Sequence, residues 1–179
     1  DEIIDVNNIK LANLKAGYQE YADYASKLLA KIPEEYRDAA QNGAIAIEEF
    51  VGEADEKTLE AIQNYREWTQ KSADLKQQIE EVITTIRDLA IIDILASTGM
   101  RIGEMVLLNK ADVNFAEREC KVLGKGNKER IVYFDARAKL HLQKYLDSRK
   151  DDNKALFVSL KNPAKRVTIG GIESRLRKM

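Results

Sequence analysis

The sequence predicts a mainly α-helical fold with a small three-stranded antiparallel β-sheet in its second half, preceded by a long-helix arm or a helical bundle. Three observations predict it. Apolar residues recur at helical spacing over residues 8–31, and no glycine or proline interrupts residues 55–98. Between Val113 and Phe134 the pattern changes to short β-prone runs on either side of Gly124-Lys125-Gly126-Asn127. Charge changes over the same interval. Residues 1–86 hold 18 acids against 9 bases, a net of −9, and residues 87–179 hold 12 acids against 20 bases, a net of +8.

The elements follow in order. Leu11, Leu14, Tyr18, Tyr21, Ala25 and Leu28 alternate three- and four-residue steps, the mark of one buried helix face, with Gly17 the weak point. Pro33 followed by Glu34 and Glu35 suits the first turn of a short second helix, and Asn42-Gly43 and Gly52 mark turns. An unbroken helix over residues 55–98 would exceed about 60 Å. It is either a long antiparallel hairpin arm or a helix bent near Ser72 or Thr84-Thr85. Tyr18, Tyr21, Tyr24, Tyr36, Tyr65 and Trp68 are expected to staple these helices together rather than do chemistry.

In the second half, Cys120 and Val122 alternate inward and Asp112-Val113-Asn114 supplies a third strand. Residues 136–149 return to helix through Leu140, Leu142 and Leu146, and Ala155-Leu156-Phe157-Val158 is a short extended piece. Thr168 caps a last helix from Gly171. Tyr133 on its strand and Tyr145 on its helix face read as core residues. Arg175, Arg177 and Lys178 form either a DNA-facing patch or a solvated helix end favourable to the helix dipole.

Composition excludes several classes. A single cysteine, Cys120, leaves no intrachain disulfide and no multi-cysteine zinc site, and a single histidine, His141, leaves no multi-histidine metal site. No metal and no cofactor is expected. No signal peptide or apolar run of spanning length is visible, so no membrane partner is expected, and the compartment read is a reducing cytoplasm. A start on Asp1 rather than methionine predicts a fragment or processed chain. The charge asymmetry makes a polyanion a partner for the second half and not for the first.

Two motifs carry chemistry. Ser97-Thr98-Gly99-Met100-Arg101-Ile102-Gly103-Glu104 sets an arginine just past the turn that ends an apolar helix. Gly124-Lys125-Gly126-Asn127-Lys128-Glu129-Arg130 sets a lysine in a hairpin turn. A guanidinium fork matches phosphate oxygens, and a lysine on a flexible stem can give up a proton. Together they point to a phosphodiester.

Residues 87–179, with these two boxes and the Leu107-Leu108…Asp112-Val113 link between them, resemble the amino-terminal part of the catalytic domain of tyrosine recombinases, the phage-integrase family. The likeness is closest to integrases of mobile elements in Gram-positive bacteria. It implies DNA integration and recombination without metal or ATP: a tyrosine attacks the scissile phosphate, forms a 3′-phosphotyrosine and frees a 5′-hydroxyl. By resemblance Arg101 grips the non-bridging oxygens, Lys125 protonates the leaving 5′-oxygen, and Glu104 holds the arginine in place. Lys128 and Arg130 contact the DNA backbone. The family's His-x-x-Arg box and nucleophilic tyrosine have no counterpart in these 179 residues. The position three after His141 is Lys144, and none of the seven tyrosines matches.

The reading is therefore a DNA-binding recombinase segment, catalytically incomplete, with an acidic helical segment at 1–86 and the catalytic-domain part at 87–179. Double-stranded DNA is its expected partner, with self-association or pairing with a full-length recombinase as further expectations. Tyr18-Gln19-Glu20-Tyr21, Ile32-Pro33-Glu34-Glu35-Tyr36 and Asn64-Tyr65-Arg66-Glu67-Trp68 are similar to helical segments of phage tail tape-measure proteins. That likeness implies an alternative: a helical structural or interaction protein that carries a relic recombinase segment.

Overall fold

The computed structural model describes residues 2–42, 54–124, 126 and 128–178, with side chains from residue 6 onward. The chain falls into two compact units, residues 1–82 and 83–179. Helix α3 (Glu56–Thr98) contributes its first part to one and its last part to the other. It runs unbroken, so neither Ser72 nor the Thr84-Thr85 pair interrupts it. The Ser72 hydroxyl donates to the Trp68 carbonyl at 3.0 Å, which satisfies it inside the helix.

The first unit is built from α1 (Glu2–Lys31), α2 (Glu34–Asn42) and the opening turns of α3. Helix α1 starts earlier than its apolar periodicity suggests and stops before Pro33, which cannot donate to a helical ladder. Arg37 closes the junction, donating from Nε to the Ile32 carbonyl at 2.8 Å. At the head of α3, Asp55 accepts the Thr58 amide at 2.8 Å, and these hydrogen bonds from Thr58 hold its carboxyl below the usual carboxylate range. The expected turns at Gly43 and Gly52 lie outside the described residues.

Helices α1 and α3 pack antiparallel within this unit, because contacts rise along one as they fall along the other. Gly17 faces Leu75, Tyr21 and Tyr24 meet Trp68 edge-on at 4.9 and 4.8 Å, and Ile32 shares a core with Ala40 and Ile62. Leu29, Tyr36, Ala61 and Tyr65 pack around that core. The aromatic residues Tyr21, Tyr24, Tyr36, Tyr65 and Trp68 thus act as packing residues. Each fully buried isoleucine contributes about 1.5–3 kcal/mol of transfer free energy. Shortening Ile62 to alanine would open a cavity at the point where three helices meet.

The second unit holds a three-stranded antiparallel sheet in the order β1 (Val113–Asn114), β2 (Glu119–Leu123), β3 (Glu129–Tyr133). Its register pairs Cys120 with Val132 and Val122 with Arg130. Cys120, Val122 and Val132 are buried, and burial pushes the Cys120 thiol up to about 12, so it behaves as a small apolar residue. Helix α5 (Ala136–Ser148) starts at Asp135, whose side chain accepts the Ala138 amide at 2.7 Å, and buries Ala138, Leu142 and Tyr145. Tyr145 stacks on Phe157 and its hydroxyl oxygen accepts the Val158 amide at 3.0 Å. Thr168 caps α6 (Ile169–Leu176), which begins two residues before Gly171.

One core assignment is overturned. Tyr145 is fully buried, but Tyr133 is 66% exposed. Side chains alternate strictly along a strand, and Val132 holds the inward position, so Tyr133 and Ile131 must face out.

Candidate functional site

The site begins where α3 ends. Gly99 adopts a left-handed conformation (φ +63) and its amide bonds the Leu95 carbonyl at 3.0 Å, the αL stop that a glycine permits at low cost. The chain turns at buried Met100, and Arg101 becomes the N-cap of the single-turn helix α4 (Ile102–Met105). The backbone is thereby anchored on both sides of Arg101 while its side chain stays 80% exposed.

Glu104 is the hub. It is buried, yet its carboxylate accepts three hydrogen bonds: Arg130 Nη1 to Oε1 and Nη2 to Oε2, both at 2.8 Å, and the Arg101 amide to Oε2 at 2.9 Å. The Arg130 hydrogen bonds foremost, then the Arg101 amide, hold its carboxyl down to about 2. The Arg101 guanidinium lies 3.6 Å from Oε1, an ion pair beyond hydrogen-bond reach. Glu104 therefore fixes the backbone of Arg101 tightly and its side chain loosely.

Arg130 reaches this position because it pairs with buried Val122 on the inner face of the sheet, at the end nearest α4. Gly124 makes room for it. A β-carbon there would stand 3.0 Å from Arg130 Nη1, and the Gly124 amide donates to the Lys128 carbonyl at 2.8 Å to close the hairpin. Lys128 is exposed at the foot of β3. Lys125 lies outside the described residues.

Beside Arg101 opens a cleft of about 530 Å³ lined by Arg101, Gly103, Glu104, Leu107, Leu123 and Gly124. Its lining carries one exposed cation, Arg101, and one carboxylate already saturated by Arg130. Such a site can hold a singly charged anion without a metal. Among the described residues no group of three or more His, Cys, Asp or Glu is placed to hold a metal ion.

Other charged residues turn inward. Arg175 donates to Asp88 at 2.5 Å, and Arg87 pairs with the same buried carboxylate at 3.1 Å, so Arg175 clamps α6 to α3. Arg177 and Lys178 remain exposed. His141 is buried against Asp93, which also takes Arg137 Nε at 3.1 Å. Arg149 is nearly inaccessible and donates to Asp151 and to the carbonyls of Asn153, Ala155 and Leu156. Sequence reasoning missed the pairings of Arg137 and His141 with Asp93 and of Arg175 with Asp88, because partners 44 to 87 residues apart leave no local pattern. The bidentate Glu104–Arg130 pair had one available signal, the even spacing of Arg130 from inward Val132.

The family model described as the phage integrase family matches residues 62–179, two-thirds of the chain. The chain belongs to the phage integrase family. A tyrosine recombinase XerC of Pelobacter propionicus is 33% identical over 147 residues, covering 81% of this chain and 49% of that protein. A XerC of Corynebacterium glutamicum is 42% identical over 79 residues, covering 42% of this chain and 26% of that protein. The chain thus aligns with half or less of the length of these integrase-family relatives. A crystal structure of XerA recombinase superposes with a TM-score of 0.48 at 23% identity, covering 91% of this chain and 75% of that one. The integrase-family match begins at residue 62, inside the acidic half, and so extends further than the boxes at Arg101 and Lys125 suggested. Helical segments carry few diagnostic side chains, which is why the likeness there was not legible by eye.

Among the described residues no helix is long and apolar enough to cross a membrane.

Proposed function

We propose that this chain is the DNA-binding, phosphate-gripping part of a site-specific tyrosine recombinase that acts in DNA integration. The observation that carries the reading is Arg101, an exposed guanidinium whose backbone is locked by the buried Glu104 carboxylate at the mouth of a cleft. A donor whose backbone is already fixed before substrate arrives loses less on reorganisation, which favours stabilising a crowded phosphorane. Arg101 takes the non-bridging oxygens of the scissile phosphate. Lys125, which follows Gly124 in sequence, protonates the leaving 5′-oxygen, and Lys128 contacts the flanking backbone.

Arg130 plays a different part from the backbone contact expected of it. Both of its terminal nitrogens serve Glu104, so it positions the site and its charge offsets that of the carboxylate. Among these 179 residues no tyrosine matches the family's nucleophile and no His-x-x-Arg box is present. The chain alone is therefore proposed to bind duplex DNA and not to cut it.

Fluorescence anisotropy with a labelled duplex tests this. Binding should weaken steeply with salt, and Arg101→Ala together with Lys125→Ala should weaken it by about tenfold or more at low salt. Absence of binding by the native chain at low salt would refute the reading.

A further inference from the structure

The cleft beside Arg101 contains more than a phosphate needs. Leu107 is 58% exposed and Leu123 42% exposed, and both line it together with Gly103 and Gly124. Two large aliphatic side chains are left facing water next to the exposed Arg101 guanidinium, which stands beyond hydrogen-bond reach of Glu104. The other charged liner, Glu104, has its oxygens taken by Arg130 and by the Arg101 amide. The cleft thus presents one available cation at its mouth and mostly C–H surface along its wall.

A phosphodiester is never an isolated anion. Each phosphorus carries two ester-linked deoxyriboses, and a sugar carbon lies only two bonds from it. A duplex phosphate seated on Arg101 must therefore lay one sugar on whatever adjoins the guanidinium. We propose that Leu107 and Leu123 form a positioning surface for the deoxyribose next to the phosphate gripped by Arg101. This inference rests on the DNA reading above and adds a contact that carries neither charge nor base information. Apolar contact of this kind aligns the phosphate along the cleft while remaining blind to sequence.

Salt dependence separates a sugar contact from a phosphate contact, because only the latter releases counterions. Duplex affinity is measured across a salt series for the native chain, for Leu107→Ala with Leu123→Ala, for Leu107→Met with Leu123→Met, and for Arg101→Ala. The alanine pair should bind about three- to tenfold more weakly with an unchanged slope of log affinity against log salt, and the methionine pair should bind as the native chain does. Arg101→Ala should lower the slope by about one. Both leucines are exposed, so circular dichroism should show every variant folded. Native affinity in the alanine pair overturns the proposal, as does a fall in its salt slope. A change in the DNA-free sedimentation mass of the alanine pair overturns it in favour of a protein interface. If the native chain itself fails to bind duplex at low salt, the DNA reading falls, and this inference with it.

Discussion

The two units of this chain treat charge in opposite ways. In the first, with its net of −9, the described carboxylates stay in water and the helices are joined by Tyr21, Tyr24 and Trp68 and by the Ile32–Ala40–Ile62 core. In the second, acidic side chains are drawn inside: Asp88, Asp93 and Glu104 are all buried, each against an arginine. Several basic side chains of the unit, Arg101, Lys128, Arg177 and Lys178 among them, stay exposed. A basic face is thus produced by burying acids as much as by adding bases. The second unit thus commits its buried carboxylates to arginines and leaves Arg101 exposed at a cleft.

The largest test of this contrast is Asp88→Ala. Removing a buried carboxylate shared by Arg87 and Arg175 leaves uncompensated cations, and urea unfolding should show a loss of about 3–5 kcal/mol. A loss below that expected for an ordinary surface substitution would mean the buried pairs are not structural. Second in size, Glu104→Gln should cost about 2 kcal/mol, the usual worth of charge-assisted hydrogen bonds, and should also weaken duplex binding.

That same carboxylate sets an acid limit. Its folded pKa, about 2, lies below its ordinary 4.5, so its contribution is complete above about 4.5 and is lost as pH falls toward 2. Stability measured over this window should fall less in Glu104→Gln than in the native chain. Arg101→Ala inverts the pattern. With its side chain 80% exposed it should change stability by less than about 0.5 kcal/mol while lowering the salt slope of DNA binding. A smaller effect than at Asp88 or Glu104 belongs to the first unit: Lys71→Ala, which removes a half-exposed cation 4.4 Å from the Trp68 ring, should cost about 0.5–1 kcal/mol. A larger loss there than at Asp88 would reverse the comparison.

Legibility followed the range of the interactions. Helical periodicity revealed α1 and α5, the glycine-bounded turn revealed the β2–β3 hairpin, and Thr168 and Pro33 marked element ends, because each depends on neighbours within a few residues. The strand face of Tyr133 was misjudged, since three apolar residues in a row leave the inward position undecided until packing against the core selects Val132. The role of Arg130 was equally hidden. Glu104 lies 26 residues away, and only the sheet register brings the two into a bidentate pair.

What the sequence by itself determined was the order of elements, the charge division between the halves, and the family, through boxes in which each residue type is tied to a local turn. Tertiary structure alone decided which charges are available to a ligand. Arg87, Arg130, Arg137, Arg149 and Arg175 hydrogen-bond buried or bidentate carboxylates, whereas the Arg101 guanidinium stands 3.6 Å from Glu104 and stays 80% exposed. The physical reason is that a guanidinium looks the same in sequence whether it satisfies a distant carboxylate or waits in water. Only the fold brings that carboxylate within three ångströms or leaves it out of reach.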